Sequence, residues 1–441
     1  MRREYAVLGA GALGLVTALR LLARGHAVTV YEREPLPGGL AAGFPVGTPV
    51  TGPLAGQQVW LDKFYHHIFT SDTEVIRLIQ ELGLGSDLLW RRPRTVTLVG
   101  GHVRQLDSPM TVLQFDALPV IDRLRLASAL AILKLLPSPG PLEGLTAASW
   151  LRAVMGTKAY STVFEPLLKG KFGALAGEIA LPWFWGRIHD RTTALGYMRG
   201  GFQRLYDALE ARIREMGGEI QLATQVQGIA PVAGGVEVSV APVGQPGLGH
   251  PRRFDRVVST LAVRLTSQLT PALPAEWKAR YEWGRAYGAH CVILALDRPL
   301  TDSYWMNIND PGYPFMVLVE HTNYMPLEDY GGKHLVYLGN YRPMDDPIFR
   351  MDKAAILAGF LPHLARVNPA FDPSWVTETW AFAAPWAQPI VTTDYKEHIP
   401  PFATPIPGLY VASMFQVYPH DRGQNYSVEL AERLVREIEP A

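Results

Sequence analysis

The feature that most constrains the fold is a glycine-rich turn between an apolar strand and a helix near the N-terminus. Residues 9–14 read Gly-Ala-Gly-Ala-Leu-Gly, residues 5–8 before them are apolar, and large apolar side chains recur at helical spacing over residues 12–24. A second apolar stretch, residues 27–31, ends at Glu32. This order of strand, glycine turn, helix, strand and acid predicts a βαβ unit of parallel strands that binds an adenine dinucleotide.

Each part of this turn has a physical role in dinucleotide binding. Gly9 permits the tight turn, Gly11 lets the backbone approach the pyrophosphate, and Gly14 lets the helix pack closely on the strand. The helix N-terminus offers N–H groups and a partial positive charge to the phosphates. Glu32 can accept hydrogen bonds from both hydroxyls of an adenosine ribose, which disfavours NADP with its 2′-phosphate. The alternative interpretation is a glycine-rich turn in another α/β protein.

Composition limits the other functions that the chain can have. The 441 residues suffice for two or three structural units. Lys+Arg and Asp+Glu both total 41, so the basic excess typical of nucleic-acid binding is missing and we expect no nucleic-acid partner. The single cysteine, Cys291, excludes an internal disulfide and a thiolate metal cluster, which fits a reducing, cytoplasmic location and predicts no metal site. The sequence holds no run of 18 or more apolar residues, so we predict no transmembrane helix.

Strand and helix patterns return later along the chain and divide it into alternating pieces. Helices are predicted at residues 201–216 and 428–438, short strands at 219–222, 236–240, 256–260 and 409–412, and a Gly/Pro-rich loop at 244–251. Of the two stretches between these pieces, the first is helix-rich, and the second is rich in aromatic residues and strand patterns. We therefore predict cofactor-binding parts at residues 1–70, 191–262 and 386–441, and substrate-domain parts at residues 71–190 and 263–385.

A double glycine, Gly38-Gly39, follows Glu32 by six residues. At this point the chain resembles the flavin amine oxidase superfamily, which includes monoamine oxidases, protoporphyrinogen oxidases and phytoene desaturases. Residues 197–226, 257–260 and 408–412 resemble further blocks of that superfamily, so the resemblance covers almost the whole chain. It implies that the cofactor is FAD, which contains no metal. It also implies an α/β fold, in which a Rossmann-like FAD-binding domain of the glutathione-reductase/amine-oxidase type carries an inserted mixed α+β substrate domain.

The resemblance also implies a set of cofactor-binding residues. These are Gly9, Gly11, Ala12, Leu13, Gly14, Glu32, Arg33, Gly38, Gly39, Leu40, Val226, Thr260, Met414, Arg422, Gly423, Asn425 and Tyr426. The chain departs from the family pattern after the last strand, where Ser413-Met414 replaces Gly followed by an acid. Asp421, Arg422 and Asn425 are candidate substitutes, and Asn425 is a candidate N-cap of the last helix. A surface turn is the alternative for residues 421–423.

The predicted substrate side begins after the double glycine. Residues 63–69, Lys-Phe-Tyr-His-His-Ile-Phe, resemble a stretch of UDP-galactopyranose mutases, which implies that His66 or His67 lies close to the flavin. Histidine titrates near neutrality, so either could act as a base or polarise the flavin. A hydrogen-bonded core histidine is the alternative. Tyr418 and Tyr426 bracket the flavin region and are candidate aromatic walls, so the catalytic candidates are these two histidines and two tyrosines.

Three other segments have two interpretations each. Residues 164–173 resemble a block of the protoporphyrinogen oxidase group, and their Lys169 and Lys171 either meet an anionic substrate or are ordinary exposed lysines. Trp183, Trp185 and Arg187 either line a cavity mouth or pack in the core. Residues 124–136 are apolar on most sides, as in a core helix or in a helix that contacts a membrane peripherally.

Two enzymatic hypotheses compete. In the first, an FAD-dependent oxidoreductase transfers a hydride from a substrate C–N or C–C bond to flavin N5, and oxygen or a quinone re-oxidises the flavin. In the second, a non-redox flavoenzyme of the mutase type acts on a nucleotide sugar, which requires arginines for a diphosphate, with Arg187, Arg191 and Arg342 as candidates. A non-enzymatic FAD-dependent scaffold is a third interpretation. We expect a small-molecule substrate and a monomer or homodimer.

Overall fold

The computed structural model describes residues 1–245 and 249–440. The strands are β1 Glu4–Leu8, β2 Ala27–Tyr31, β3 Gly43–Gly47, β4 Val59–Asp62, β5 Ile68–Phe69, β6 Leu88–Arg91, β7 Thr95–Val99, β8 His102–Gln105, β9 Leu195–Met198, β10 Glu219–Gln221, β11 Thr224–Val232, β12 Gly235–Pro242, β13 His250–Phe254, β14 Arg256–Ser259, β15 Ala286–Leu296, β16 Trp305–Ile308, β17 Val317–Glu320, β18 His334–Arg342, β19 Val376–Pro389 and β20 Leu409–Val411. The α-helices are α1 Ala12–Ala23, α2 Thr73–Glu81, α3 Pro109–Leu113, α4 Val120–Leu135, α5 Ala147–Met155, α6 Thr157–Ala159, α7 Glu165–Phe172, α8 Leu181–His189, α9 Gln203–Glu215, α10 Val263–Leu269, α11 Ala275–Tyr281, α12 Lys353–Phe360, α13 Leu364–Val367 and α14 Gln424–Ile438.

A five-stranded parallel sheet forms the first unit, in the order β10-β2-β1-β14-β20. Its central strand β1 is buried from Tyr5 to Leu8, as expected of a parallel strand covered on both faces. Helix α1 packs against α9 and α14, and the small antiparallel sheet β11-β12-β13 joins the same unit. The predicted Rossmann-like α/β fold is confirmed.

The strands of this sheet come from three distant parts of the chain, and they lie within a residue of their predicted bounds. The last helix differs, because α14 begins at Gln424, four residues before the predicted start. The predicted loop at residues 244–251 is shortened by β13, which begins at His250, and residues 246–248 lie outside the described part of the chain.

A second unit is organised around a seven-stranded sheet in the order β19-β15-β18-β17-β16-β7-β8. All its pairings are antiparallel except that of β16 with β7. Strand β15 is buried along its whole length, and helices α3 to α8 pack together in a separate hydrophobic cluster beside this sheet. The division of the chain into five cofactor and substrate segments stays a prediction.

Helix α4 contains the apolar residues 124–136 almost entirely. One side is core, with Leu126, Ala129 and Leu133 fully buried, whereas Leu124 and Leu135 on other sides are at least half exposed. Within the described residues, no helix combines the length and apolar character needed to cross a bilayer.

Candidate functional site

A cavity of about 600 Å³ runs from the glycine turn after β1 to the seven-stranded sheet of the second unit. Both units contribute to its wall, so residues from distant parts of the chain meet there. We call the end at the glycine turn the dinucleotide end and the end near the second sheet the substrate end.

Backbone packing shapes the dinucleotide end. Gly9 has φ 104°, and a Cβ there would lie 2.6 Å from Oγ1 of Thr260. A Cβ on Gly14 would lie only 1.9 Å from the carbonyl oxygen of Gly9, so α1 approaches the turn more closely than any side chain would allow. Gly14 does not line the cavity, which fits its predicted packing role. A Cβ on Gly11, in contrast, would enter open space beside the cavity.

Glu32 is held rigidly at this end. One carboxylate oxygen accepts a hydrogen bond from the backbone N–H of Ala10 at 2.7 Å, and the other accepts one from Glu34 N–H at 2.9 Å. The double glycine lies beside the turn, since Gly38 N–H donates to the Ala10 carbonyl at 2.8 Å. A fixed carboxylate with remaining lone pairs, beside a turn that leaves open space at Gly11, fits an adenine dinucleotide.

Most of the predicted cofactor-binding residues line this cavity: Gly9, Gly11, Ala12, Leu13, Glu32, Gly38, Gly39, Leu40, Thr260, Met414, Arg422, Gly423, Asn425 and Tyr426. Arg33 and Val226 do not. The exposed Arg33 side chain pairs with Glu34 instead, at 2.9 Å. Val226 is in β11, where it pairs with Val240 of β12.

Asn425 has a different capping role from the predicted one. Gly423, not Asn425, precedes the first turn of α14. The Asn425 Oδ1 atom accepts hydrogen bonds from the N–H groups of Glu74, at 2.9 Å, and Val75, at 3.1 Å. The side chain therefore satisfies the first turn of α2 from across the fold, because these donors have no partner within their own helix.

The polar residue that precedes Asn425 was missed by sequence reasoning. Gln424 is buried in the cavity wall, and its Oε1 accepts a hydrogen bond from the Tyr206 hydroxyl at 2.7 Å. A glutamine at the start of an amphipathic helix gives no signal of such a contact, since its partner lies more than two hundred residues away in the chain.

His66 and His67 both line the cavity. The Nδ1 atom of His67 lies 3.2 Å from the Tyr304 hydroxyl oxygen, while Nδ1 of His66 has no hydrogen-bond partner among the described residues. Burial, reinforced by the charge of Arg422, lowers the pKa of His66 to about 4. Burial lowers the pKa of His67 to about 3, with nearby guanidinium groups adding to the shift. Both imidazoles are therefore neutral at pH 7, and the expectation that they titrate near neutrality is wrong.

The two candidate tyrosines are separated by the structure. Tyr418 does not line the cavity; its hydroxyl donates to Glu143 Oε2 at 2.8 Å, and its ring stacks on Tyr395. The prediction that Tyr418 forms an aromatic wall of the cavity is therefore wrong. Tyr426 does line the cavity, and its hydroxyl donates to Asp190 Oδ2 at 2.7 Å.

An ionic cluster around Asp421 occupies the substrate end. Its carboxylate accepts hydrogen bonds from Lys171 Nζ at 2.8 Å and from Trp183 Nε1 at 3.2 Å, and it pairs with Arg187 and, at 3.7 Å, with Arg422. Burial alone would raise the pKa of Asp421, but the three surrounding cations hold it well below its usual value. Burial lowers the pKa of Lys171, and the two guanidinium charges add to that shift.

The remaining candidates divide between cavity and elsewhere. Lys169 does not line the cavity and pairs with Glu165 at 3.1 Å on an exposed face of α7. Trp185 packs in the core of the helical cluster, where its Nε1 donates to a backbone carbonyl. Arg191 lines the substrate end, whereas Arg342 does not.

Comparison with known proteins gives a consistent family relationship. The model of the family described as flavin containing amine oxidoreductase matches residues 14–420. A putative flavin-containing monoamine oxidase of Mycobacterium tuberculosis is 25% identical over 319 residues, which are 65% of this chain and 64% of that protein. The chain spans between 29% and 64% of the length of the curated relatives that it matches.

Solved structures share the fold at low sequence identity. A putative protoporphyrinogen oxidase from Exiguobacterium sp. superimposes with a TM-score of 0.77 at 16% identity, covering 100% of this chain and 99% of the other. Reduced UDP-galactopyranose mutase superimposes with a TM-score of 0.75 at 15% identity, covering 100% and 96%. Identities this low establish a common architecture and leave the reaction to be argued from the site.

Proposed function

The chain belongs to the flavin-containing amine oxidoreductase family, and we propose that it transfers a hydride from a C–N or C–C bond of a small-molecule substrate to bound FAD, which oxygen or a quinone re-oxidises. The observation that carries the proposal is one continuous cavity that joins a dinucleotide end to a substrate end lined by both apolar and charged side chains. When bound, FAD supplies the hydride-accepting centre at N5, and the protein supplies binding, orientation and electrostatics.

The dinucleotide end binds through groups that are fixed before the cofactor arrives. The first N–H groups of α1 face the turn without helical partners and suit the pyrophosphate. Glu32, held by two backbone N–H groups, accepts from the ribose hydroxyls. Because both groups are already held by the fold, we expect little reorganisation on binding and little entropy lost in ordering the protein.

The histidines at the substrate end act as neutral groups. Because the pKa values of His66 and His67 are low, each imidazole is neutral at pH 7 and has a single N–H to donate. His66 lines the cavity, so we expect its ring to contact the cofactor or the substrate. Hydride transfer needs such positioning more than it needs an acid or a base on the enzyme.

The test is an anaerobic mixing experiment with the purified FAD-bound protein. Candidate amines, polyenes, porphyrinogens and nucleotide sugars are added in turn, and the visible flavin absorbance is followed. Bleaching by one class, reversed by oxygen or a quinone, is the expected result. The proposal fails if none bleaches the flavin and a nucleotide sugar is isomerised only after reduction with dithionite.

That second outcome would establish the mutase alternative, which one observation favours. Arg187 and Arg191 both line the cavity, as a diphosphate would require. Arg342, the third candidate, lies outside the cavity wall, where its nearest hydrogen-bond acceptor is the Pro314 carbonyl at 3.5 Å. Two of the three arginines proposed for a diphosphate therefore line the cavity, which supports the mutase alternative.

We further propose that α3 and α4 contact a membrane surface peripherally. Their outer faces carry a set of exposed apolar side chains: Met110, Leu113, Val120, Ile121, Leu124, Ile132 and Leu135. A patch of this kind on two adjacent helices suits the boundary between lipid headgroups and acyl chains. Ile121→Glu should abolish flotation with phospholipid vesicles, whereas Leu265→Glu, at another exposed apolar site, should not. Equal flotation of both variants would exclude this surface.

A further inference from the structure

We propose that the substrate carries an anionic group, a carboxylate or a phosphate, which binds between Arg187 and Arg191 at the substrate end of the cavity. This inference rests on the proposed function, because it describes the substrate of the same site. It differs in sign from the expectation for a simple amine, which is a cation at neutral pH.

Arg191 is the first observation. It follows the last turn of α8 and lines the cavity, yet its guanidinium has neither a hydrogen-bond acceptor nor an ion-pair partner among the described residues. Burial lowers its pKa to about 10, and the nearby charge of Arg187 adds to the shift. Arg191 is exposed along the cavity, so its guanidinium is accessible to a ligand there and, within the described part of the chain, has no acidic partner to give up.

Arg187 has an acidic partner, but one that is shared. Asp421 is its ion-pair partner, and the same carboxylate also pairs with Lys171 and lies 3.7 Å from Arg422. One carboxylate thus faces three cations before Arg191 is counted. The substrate end consequently carries an excess of positive charge.

Three other acids line the cavity, and each already accepts hydrogen bonds from the protein. Glu32 lies at the dinucleotide end and is held by backbone N–H groups. Asp72 accepts a hydrogen bond from the Phe69 backbone, and the Asp190 carboxylate is occupied by two histidines and a tyrosine. None of the three pairs with Arg191, and Asp107, whose charge acts on Arg191, does not line the cavity, so we expect a ligand to supply the counter-charge inside it.

The two arginines share the cavity with a candidate catalytic residue. Arg187, Arg191 and His67 line the same cavity, and the charges of both arginines add to the lowering of the His67 pKa by burial. The neighbouring wall is apolar, with Phe184, Ile188 and Trp305 among its members. Charge interactions are stronger against such walls than in water. The geometry therefore suits an anionic head beside His67 and an apolar body deeper in the cavity.

The experiment measures binding without turnover. FAD-loaded protein is titrated with benzoate, phenyl phosphate, inorganic phosphate and benzylamine, and each dissociation constant is taken from the change in the flavin spectrum. We expect benzoate or phenyl phosphate to bind at least tenfold more tightly than benzylamine. In Arg191→Gln the dissociation constant of the tighter anion should rise at least tenfold, and Arg191→Lys should recover part of the loss, since it keeps the charge.

The control is Arg298→Gln, which removes an arginine that pairs with Asp297 on the surface and does not line the cavity. It should leave every constant unchanged. Preference for phenyl phosphate over benzoate would identify a phosphate-bearing substrate, and the reverse a carboxylate-bearing one.

Two results would overturn the inference: tighter binding of benzylamine than of both anions, or unchanged anion binding in Arg191→Gln that still holds FAD. The failure of the proposed function looks different. If anions bind in an Arg191-dependent way but no substrate ever bleaches the flavin, the subsite stands and the redox assignment falls. If an amine bleaches the flavin and no anion binds, the redox assignment stands and the subsite falls.

Discussion

The two ends of the cavity are built from different materials. The dinucleotide end consists mainly of backbone, with glycines packed against carbonyl oxygens and a carboxylate held by N–H groups. The substrate end consists of side chains from distant helices and strands, arranged around Asp421. The first end depends on conformations that only a few residues permit, and the second depends on a balance of charges that many residues could supply.

The largest expected effect comes from a pair of substitutions in the glycine turn. Gly14→Ala places a Cβ 1.9 Å from the Gly9 carbonyl oxygen, a backbone atom that cannot move aside, so we expect a loss of more than about 3 kcal/mol of unfolding free energy and little folded protein. Gly11→Ala places its Cβ in open space, so the fold should persist while FAD affinity falls at least tenfold. Thermal unfolding and flavin content measure the two effects. Equal stability of the two variants would contradict the conclusion that close backbone packing shapes the dinucleotide end.

The second prediction concerns the charge balance at the other end. Asp421→Asn removes the carboxylate that pairs with Lys171, Arg187 and Arg422, and should lower the unfolding free energy by about 3 kcal/mol, because partly buried cations then remain without it. The pKa of Asp421 is depressed in the folded state, so its contribution is complete above the ordinary carboxyl pKa and is lost as the pH falls below it. The difference between the wild type and the variant should therefore shrink in acid. A difference independent of pH would show that the cluster does not act through this charge.

This contrast explains how much of the molecule could be predicted from sequence. The turn, Glu32 and the double glycine, which the sequence predicts to bind the dinucleotide, lie together because their spacing along the chain is fixed by local geometry. The functions of Tyr418, Asn425 and Gln424 could not be read in this way. Their partners, Glu143, α2 and Tyr206, lie far away in sequence, and only the tertiary packing of the chain brings them together.

Protonation of the two neutral histidines should give a smaller loss of stability, over a defined pH range. The folded-state pKa values of His66 and His67 lie below the ordinary histidine value, so the stability associated with the neutral rings is fully present above about pH 6.5 and declines as the pH falls toward 4. Lowering the pH from 6.5 to 5.5 should lower the unfolding free energy by about 1 kcal/mol for each ring. His66→Gln and His67→Gln should each flatten the acid limb of stability against pH. Parallel curves for wild type and variants would show that these rings are protonated as freely in the fold as in the unfolded chain.

The smallest predicted effect concerns Asn425, which lines the cavity and also caps a distant helix. Asn425 lines the cavity in its first-turn position on α14, but its side-chain oxygen serves the first turn of α2. Asn425→Ala should therefore lower the unfolding free energy by about 1 kcal/mol, the usual cost of a lost helix cap, with FAD affinity changed less than twofold. Asn425→Asp keeps the acceptor and should restore stability, because a carboxylate is also favoured at a helix N-terminus. A variant that keeps its stability but loses FAD would instead assign this side chain to the cofactor, as the sequence pattern alone suggested.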